Sequence, residues 1–253
     1  MIYINPVGGL GNMLFHIASI WTLAKDNGDD LCLLNIDEKI NVLARYYQHN
    51  APKYIFNRLH QINGNAPYQI KYPFQHIPLE YKNEHEYIGF FQCEEYFKHK
   101  RNEILELFRP ADEFIERIEE YSHLFNNISL HVRRGENVGS PIHIPPSTEY
   151  YLNAISILPK DMSIIIFSDD LEWCRENFID DRYVFIDDED YIVIHLMSMM
   201  KHHIIANSTF SWWGAWMSEH HDKKVIAPEK WFGGKLLNQD IEMNIIPSDW
   251  IRL

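Results

Sequence analysis

The chain has 253 residues, 46% hydrophobic and 23% charged, a globular composition long enough for one large domain or two lobes. Its formal net charge of −13 repels phosphate backbones in the mean field, which argues against nucleic acid as a partner, so an anionic small substrate needs a local cationic patch. No apolar run approaches the length that spans a bilayer, and Met1–Leu14 lacks a basic leader segment.

The chain opens with an apolar strand over Met1–Asn5 and the turn Gly8-Gly9-Leu10-Gly11. Leu14, Ile17, Ala18, Trp21 and Ala24 then recur at helical spacing, and Leu31–Leu34 reads as a second strand, completing a β-loop-α-β unit. Residues 37–125, rich in Tyr, Asn, His and Pro, read as short helices and loops. Within them are a strand near Tyr87–Phe91, a helix from Glu94 to Phe108 ended by Arg109-Pro110, and another from Ala111 to Tyr121.

From Asn127 the rhythm is regular. Strands at Ile128–Val132, Ser163–Phe167, Tyr183–Ile186, His203–Ala206 and Lys224–Ile226 alternate with helices at Thr148–Leu158, Leu171–Asn177, Asp190–Met200 and Phe210–Glu219. This is the pattern of a doubly wound parallel sheet. We expect two lobes, residues 1–125 and 126–253, with a C-terminal segment packing back on the first.

In open α/β sheets, ligands bind outside the carboxyl ends of strands. The second lobe carries His131-Val132-Arg133-Arg134-Gly135-Glu136, Ser168-Asp169-Asp170, Asp187-Asp188 and Asn207-Ser208-Thr209 there. Arginine presents a planar fork that matches phosphate oxygens and does not lose its charge. Asn207-Ser208-Thr209-Phe210-Ser211 precedes a helix whose N-terminus suits an anion. Simple N-capping explains that run equally well taken alone; with Arg133 and Arg134 it suggests a shared diphosphate site.

Other motifs are weaker. Gly8-Gly9-Leu10-Gly11 fails the dinucleotide spacing because Leu14 stands where a third glycine belongs. Asp188-Glu189-Asp190 could hold a divalent cation, but reads better as an acidic helix start. Neither His202-His203 nor His220-His221 forms a zinc-hydrolase motif. Cys32, Cys93 and Cys174 lack the spacing of a disulfide framework and read as buried free thiols in a reducing compartment. The glycosylation patterns starting at Asn127 and Asn207 abut apolar strands and read as coincidence.

In this order the motifs resemble those of glycosyltransferase family 11, the α-1,2-fucosyltransferases. The family's G-G-L-G-N-Q-M-F opening is matched by Gly8–Phe15, its H-x-R-R-x-D by His131–Glu136, and its F-S-D-D…W by Phe167–Asp170 and Trp173. Its L-M-S…N-S-S-F-S-W-W-G-A-W is matched by Leu196–Ser198 and Asn207–Trp216, and its ending by Val225–Pro228, Trp231-Phe232, Pro247 and Trp250-Ile251. Glu136 replaces the usual Asp, and Met13-Leu14 replaces Gln-Met.

The resemblance implies an α/β GT-B fold of two Rossmann-like lobes facing a cleft. It implies an inverting transfer of fucose from GDP-fucose to a glycan acceptor, with no metal or other cofactor. By position it carries phosphate binding to Arg133, Ser208 and Thr209, and nucleoside contact to His131 and to Asp187 or Asp190, with Arg134, Asn207 and Phe210 beside them. The first lobe of the family holds the acceptor, so Gly9, Gly11 and Asn12 become acceptor-loop candidates. Arg133 is expected to stabilise leaving-group charge, while Glu136 and Asp169 are candidate bases. A transferase using another nucleotide sugar, or a protein that binds a glycan or GDP without turnover, remains the alternative. The expected location is cytoplasmic, soluble or peripheral to a membrane.

Overall fold

A computed structural model describes residues 1–36, 56, 58–237 and 243–253. The part of the loop-and-helix expectation covering residues 37–55 lies outside the described residues. The chain divides into two compact units, Met1–Ala111 with Ile241–Pro247, and Asp112–Asp240 with Ser248–Leu253.

In the first unit, β1 (Ile2–Ile4) leads through α1 (Leu10–Asp26) to β2 (Leu31–Leu34), β3 (His60–Ile62), β4 (Tyr68–Lys71) and β5 (His85–Ile88). All five strands are parallel, in the order β3-β2-β1-β5-β4. All four residues of β2 are buried, as a central parallel strand covered on both faces requires. Helix α1 packs Met13, Leu14, Phe15, Ile17, Ala18 and Ile20 into the core and stops at Asn27, before Gly28 at φ +67°.

The edge strands β3 and β4 escaped the sequence reading because they are short and mostly solvated, so no apolar alternation marks them. The expected long helix from Glu94 is corrected to two tight turns, Glu94–Tyr96 and Lys98–Lys100, and a helix α2 (Arg101–Leu107). Between the turns the backbone swings to φ −141° at Phe97, which is fully buried and meets Phe15 edge-on at 6.0 Å. Burial of that ring overrides helical continuation.

The second unit begins with α3 (Asp112–Glu119), then β6 (Ile128–Val132), α4 (Thr148–Ile157), β7 (Ile164–Ser168), α5 (Leu171–Asn177) and β8 (Tyr183–Ile186). It continues with α6 (Asp190–Ser198), β9 (His202–Ile204), α7 (Thr209–Met217), β10 (Val225–Ala227) and β11 (Ile251–Arg252). The six strands are parallel, in the order β11-β10-β9-β6-β7-β8. Ser147 caps α4 and Asp170 caps α5, each carboxyl or hydroxyl oxygen accepting a backbone N–H of the first turn. Helix α3, read from sequence as part of the first lobe, goes with this unit: Phe114 meets Tyr191 of α6 edge-on, and Asp188 pairs ionically with Arg117 and accepts from the Tyr121 hydroxyl.

The tryptophan run is core. Trp212, Trp213 and Trp216 of α7 are buried, and Trp212 packs on Trp250 at 5.4 Å. Gly214 lets α6 approach, since a Cβ there would sit 2.6 Å from Cβ of Met197. The two sequence runs Leu196–Ser198 and Ser211–Trp216 are thus two sides of one helix interface. All three cysteines are free and buried. Asn127 and Asn207 are held by hydrogen bonds to their neighbours. Among the described residues no helix is long and apolar enough to cross a membrane.

Candidate functional site

Chain order reverses in the second sheet between β6 and β9. Strands β7 and β8 are added on one side of β6, whereas β9, β10 and β11 are added on the other. At such a reversal the loops leaving adjacent strands part and leave a crevice. Arg133 and Arg134 leave β6 on one side of it, and Asn207 and Ser208 leave β9 on the other.

The register aligns Val132 with Ser168, so Arg133 and Asp169 leave their strands side by side. The Asp169 carboxylate divides between two partners: its Oδ1 accepts from the Arg134 backbone N–H at 2.8 Å, and its Oδ2 forms an ion pair with Nη1 of Arg133 at 2.8 Å. Gly135 leaves room for this carboxylate, because a Cβ there would run into that Oδ2 and displace it.

The two arginines face different surroundings. Arg134 donates from Nε to Asp170 at 3.1 Å and lies 4.0 Å over the Trp173 ring, so both its charge and its flat face are engaged. Arg133 has Asp169 as its ion-pair partner among the described residues, and its side chain stays 30% exposed. One guanidinium nitrogen is held in the ion pair, and part of the side chain meets solvent.

His131 lies in β6, 5% exposed, its ring 5.7 Å from that of Phe210. Burial first, and the Arg133 charge second, push its pKa down to about 3, so the ring is neutral. Its Nδ1 has no hydrogen-bond partner among the described residues. Ser208 is the N-cap residue of α7, yet its side chain takes no N–H of the helix. The simple capping explanation of the serine run therefore does not describe this helix. The half-buried Ser208, Thr209 and Phe210 surround an N-terminus whose first N–H groups precede the first intrahelical bond, Trp212 to Ser208.

Asn207 acts inward. Its Nδ2 donates to the carbonyls of Ile144 and Trp231, both at 3.0 Å, while its buried Oδ1 has no partner among the described residues. It pins the loop after β6 to the loop after β10. The Gly233 N–H reinforces the link by donating to Ile142 at 2.7 Å. This brings in His143, which the sequence reading missed because nothing in its spacing singles it out. Its ring lies 5.5 Å from that of Phe232. Burial, then the Arg133 charge, lowers its pKa.

The remaining candidates are spread out. Glu136 is exposed on the tight turn after the arginines and is not joined to Arg134, whose carboxylate partner is Asp170. Asp187 is exposed at the end of the edge strand β8, and Asp190 opens α6. Of the acidic string, Asp188 is taken by Arg117 and Tyr121. In the first unit, Gly9 is the exposed N-cap residue of α1 and Gly11 is buried in its first turn. Asn12 accepts from Gln92 Nε2 at 2.8 Å. Gly8 sits at φ +83°, where a Cβ would come within 2.5 Å of the Asn12 amide.

The profile of Glycosyl transferase family 11 matches residues 2–252. The chain belongs to glycosyl transferase family 11. An alpha-1,2-colitosyltransferase of Escherichia coli is 28% identical to this glycosyltransferase, over 97% of this chain and 96% of its own. A galactoside alpha-(1,2)-fucosyltransferase 2 of Hylobates lar is 26% identical, over 85% of this chain and 68% of its own. The crystal structure of NodZ alpha-1,6-fucosyltransferase soaked with GDP-fucose aligns at a TM-score of 0.53, covering 85% of this chain and 92% of that one, with 13% identity. At that identity the likeness is one of fold, and with the two parallel α/β units it places the chain in the GT-B class.

Proposed function

We propose that this family 11 glycosyltransferase moves L-fucose from GDP-fucose to the 2-hydroxyl of a terminal galactose on a glycan, inverting the anomeric carbon. The observation that carries this reading is the partly exposed Arg133 guanidinium at the strand-order reversal of an acidic protein, with the N-terminus of α7, where Ser208 makes no side-chain cap bond, following the adjacent strand. Such a place attracts a diphosphate and stabilises the charge that builds on it as the sugar departs.

In this reading Arg133, Ser208 and Thr209 hold the diphosphate. His131 and Phe210 meet the nucleoside, with Asp187 and Asp190 further along the same edge. Arg134 and Asn207 shape the loops. Gly9, Gly11 and Asn12 contact the acceptor. The guanidinium and the helix terminus supply the positive charge that a metal ion would otherwise bring, so transfer needs no metal. Three free buried cysteines fit a reducing compartment such as the cytoplasm. Glu136 is the candidate base: exposed and next to the phosphate loop, it is available to take the acceptor proton.

A second reading keeps the chemistry and changes the sugar. The Escherichia coli relative, matched over nearly the whole of both chains, is named for colitose.

The test is a transfer assay on the full chain with EDTA present, offering GDP-fucose and a panel of other nucleotide sugars against galactose-terminated acceptors, with the product linkage read by NMR. A 2-linked fucosyl product in EDTA is the expected result. Turnover confined to another sugar selects the second reading, activity restored only by manganese or magnesium overturns the metal-free reading, and GDP binding without any product points to a non-catalytic binder. In the same assay Glu136→Gln should lower kcat by about 100-fold with GDP affinity unchanged. Near-wild-type kcat at saturating acceptor removes Glu136 as the base.

A further inference from the structure

We propose that Asp169 is a positioning residue that aims the Arg133 fork at the donor diphosphate, rather than a base; this rests on the reading that Arg133 binds that diphosphate. Each oxygen of Asp169 has a partner on the arginine loop: Oδ2 is in an ion pair with the Arg133 guanidinium and Oδ1 accepts from the Arg134 backbone N–H, each at 2.8 Å. The two contacts tie two successive residues of one loop to the neighbouring strand. The first holds the guanidinium on the Asp169 side. The second sets the backbone from which that side chain springs. Gly135 completes the fit by leaving the space that the carboxylate fills.

An arginine side chain otherwise has many rotamers, and freezing them on ligand binding weakens affinity. A partner that holds one edge of the fork beforehand leaves the other edge preorganised. Charge alone predicts the opposite sign. Asp169 brings a negative charge close to where a diphosphate would sit, so if it did nothing but repel, removing that charge would tighten anion binding.

That difference in sign makes a double-mutant cycle on GDP affinity informative, measured by calorimetry with GDP as the ligand. Asp169→Asn is isosteric and removes the charge that holds Arg133. We expect it to weaken GDP binding roughly tenfold with Arg133 present, and to leave binding unchanged or slightly tighter in the Arg133→Ala background. Gly135→Ala approaches the same contact from the other side, by displacing the carboxylate, and should weaken GDP binding in the same direction. Thermal melting of each variant checks that it is folded.

If Asp169→Asn tightens GDP binding or leaves it unchanged beside an intact Arg133, or weakens it equally in both backgrounds, the positioning role is overturned while the diphosphate reading stands. If Arg133→Ala itself leaves GDP affinity unchanged, both fall. A base role makes its own distinct demand: Asp169→Asn would then abolish the acidic limb of the kcat pH profile, whereas positioning leaves that limb in place.

Discussion

The two sheets are both parallel and differ in winding and in charge. Only the second reverses its strand order, between β6 and β9; in the first the chain crosses from β3 to the far edge at β4 and steps in the same direction as before to β5, beside β1. In both, a loop leaves the central strand toward a helix. Where β1 and β5 end, the polar contact is an amide pair, Asn12 with Gln92, beside exposed Gly8 and Gly9. At the β6–β9 reversal it is a guanidinium paired with a carboxylate, on the strand next to the one that leads into α7. Strand order supplies a crevice in the second unit, and of these two places, among the described residues, it is the one with fixed positive charge. Neutral amides and bare glycine backbone suit hydroxyl-rich ligands, whereas an arginine fork and a helix N-terminus suit phosphate.

The largest effect should come from removing that charge. Arg133→Ala should lower transfer by about 1,000-fold, as loss of a charge-stabilising donor does, and weaken GDP binding at least tenfold. Arg133→Lys should restore little, because a point charge does not reproduce the fork. Steady-state kinetics with calorimetry of GDP measures both. Unchanged GDP affinity in Arg133→Ala would end the contrast between the two units.

Glycines sharpen it next, since they look alike in sequence and serve opposite ends. Gly214→Ala forces a methyl against Met197 at the α6–α7 interface, and overpacking of that kind costs about 1–3 kcal/mol. Gly9→Ala meets nothing within 4 Å and keeps an ordinary backbone, φ −72° and ψ 173°, so its stability should move by less than about 0.5 kcal/mol. Urea unfolding of the two variants gives the comparison. Equal destabilisation would mean that Gly9 has a packing role and is not kept small for a ligand.

These contrasts also show what the sequence made legible. The alternation after Asn127 yielded the strands of the second sheet, β11 excepted, because central parallel strands are buried on both faces and read as apolar runs. The arginine pair, the serine run and the Asp169-Asp170 pair fell at strand ends where the open-sheet rule places ligands. What the sequence left hidden is pairing. Nothing in the order of residues says that Asp169 takes Arg133 while Asp170 takes Arg134, or that Asn207 turns inward to tie two loops. Those partners lie far apart in the chain, and strand register decides them. In the first unit the signal failed for another reason. Edge strands β3 and β4 are solvated, so their residues carry no burial pattern.

The second unit should also be sensitive to acid. His131 and His203 are buried at the β6–β9 junction, and burial pushes both pKa values down, that of His131 to about 3. The unfolded chain takes up these protons near pH 6.5, whereas the folded chain refuses them. Stability is therefore full above about pH 6.5 and falls as pH drops toward the folded value. The limiting slope is about 1.4 kcal/mol per pH unit for each histidine. Urea midpoints between pH 7 and pH 5 should fall accordingly, and His203→Gln should flatten the slope. A midpoint independent of pH across that range would contradict the neutral, buried state of these rings.

The smallest expected effect returns to the place where β1 and β5 end in the first unit. Asn12 lies in the first turn of α1, and its side-chain carbonyl accepts from Gln92 in the segment after β5. That bond joins the chain segments that follow β1 and β5, and the Asn12 amide lies alongside Gly8. If this edge recognises acceptor hydroxyls, Asn12→Ala removes one neutral hydrogen bond, worth about 1 kcal/mol. The acceptor KM should then rise roughly fivefold, while GDP affinity stays within a factor of about two. Gln92→Ala should act in the same direction and more weakly, since it frees the Asn12 side chain without deleting it. The outcome that breaks the comparison is a loss of GDP affinity in Asn12→Ala comparable to that of Arg133→Ala. In that case the uncharged edge would hold the donor as firmly as the charged one, and fixed positive charge would not be what separates the two units.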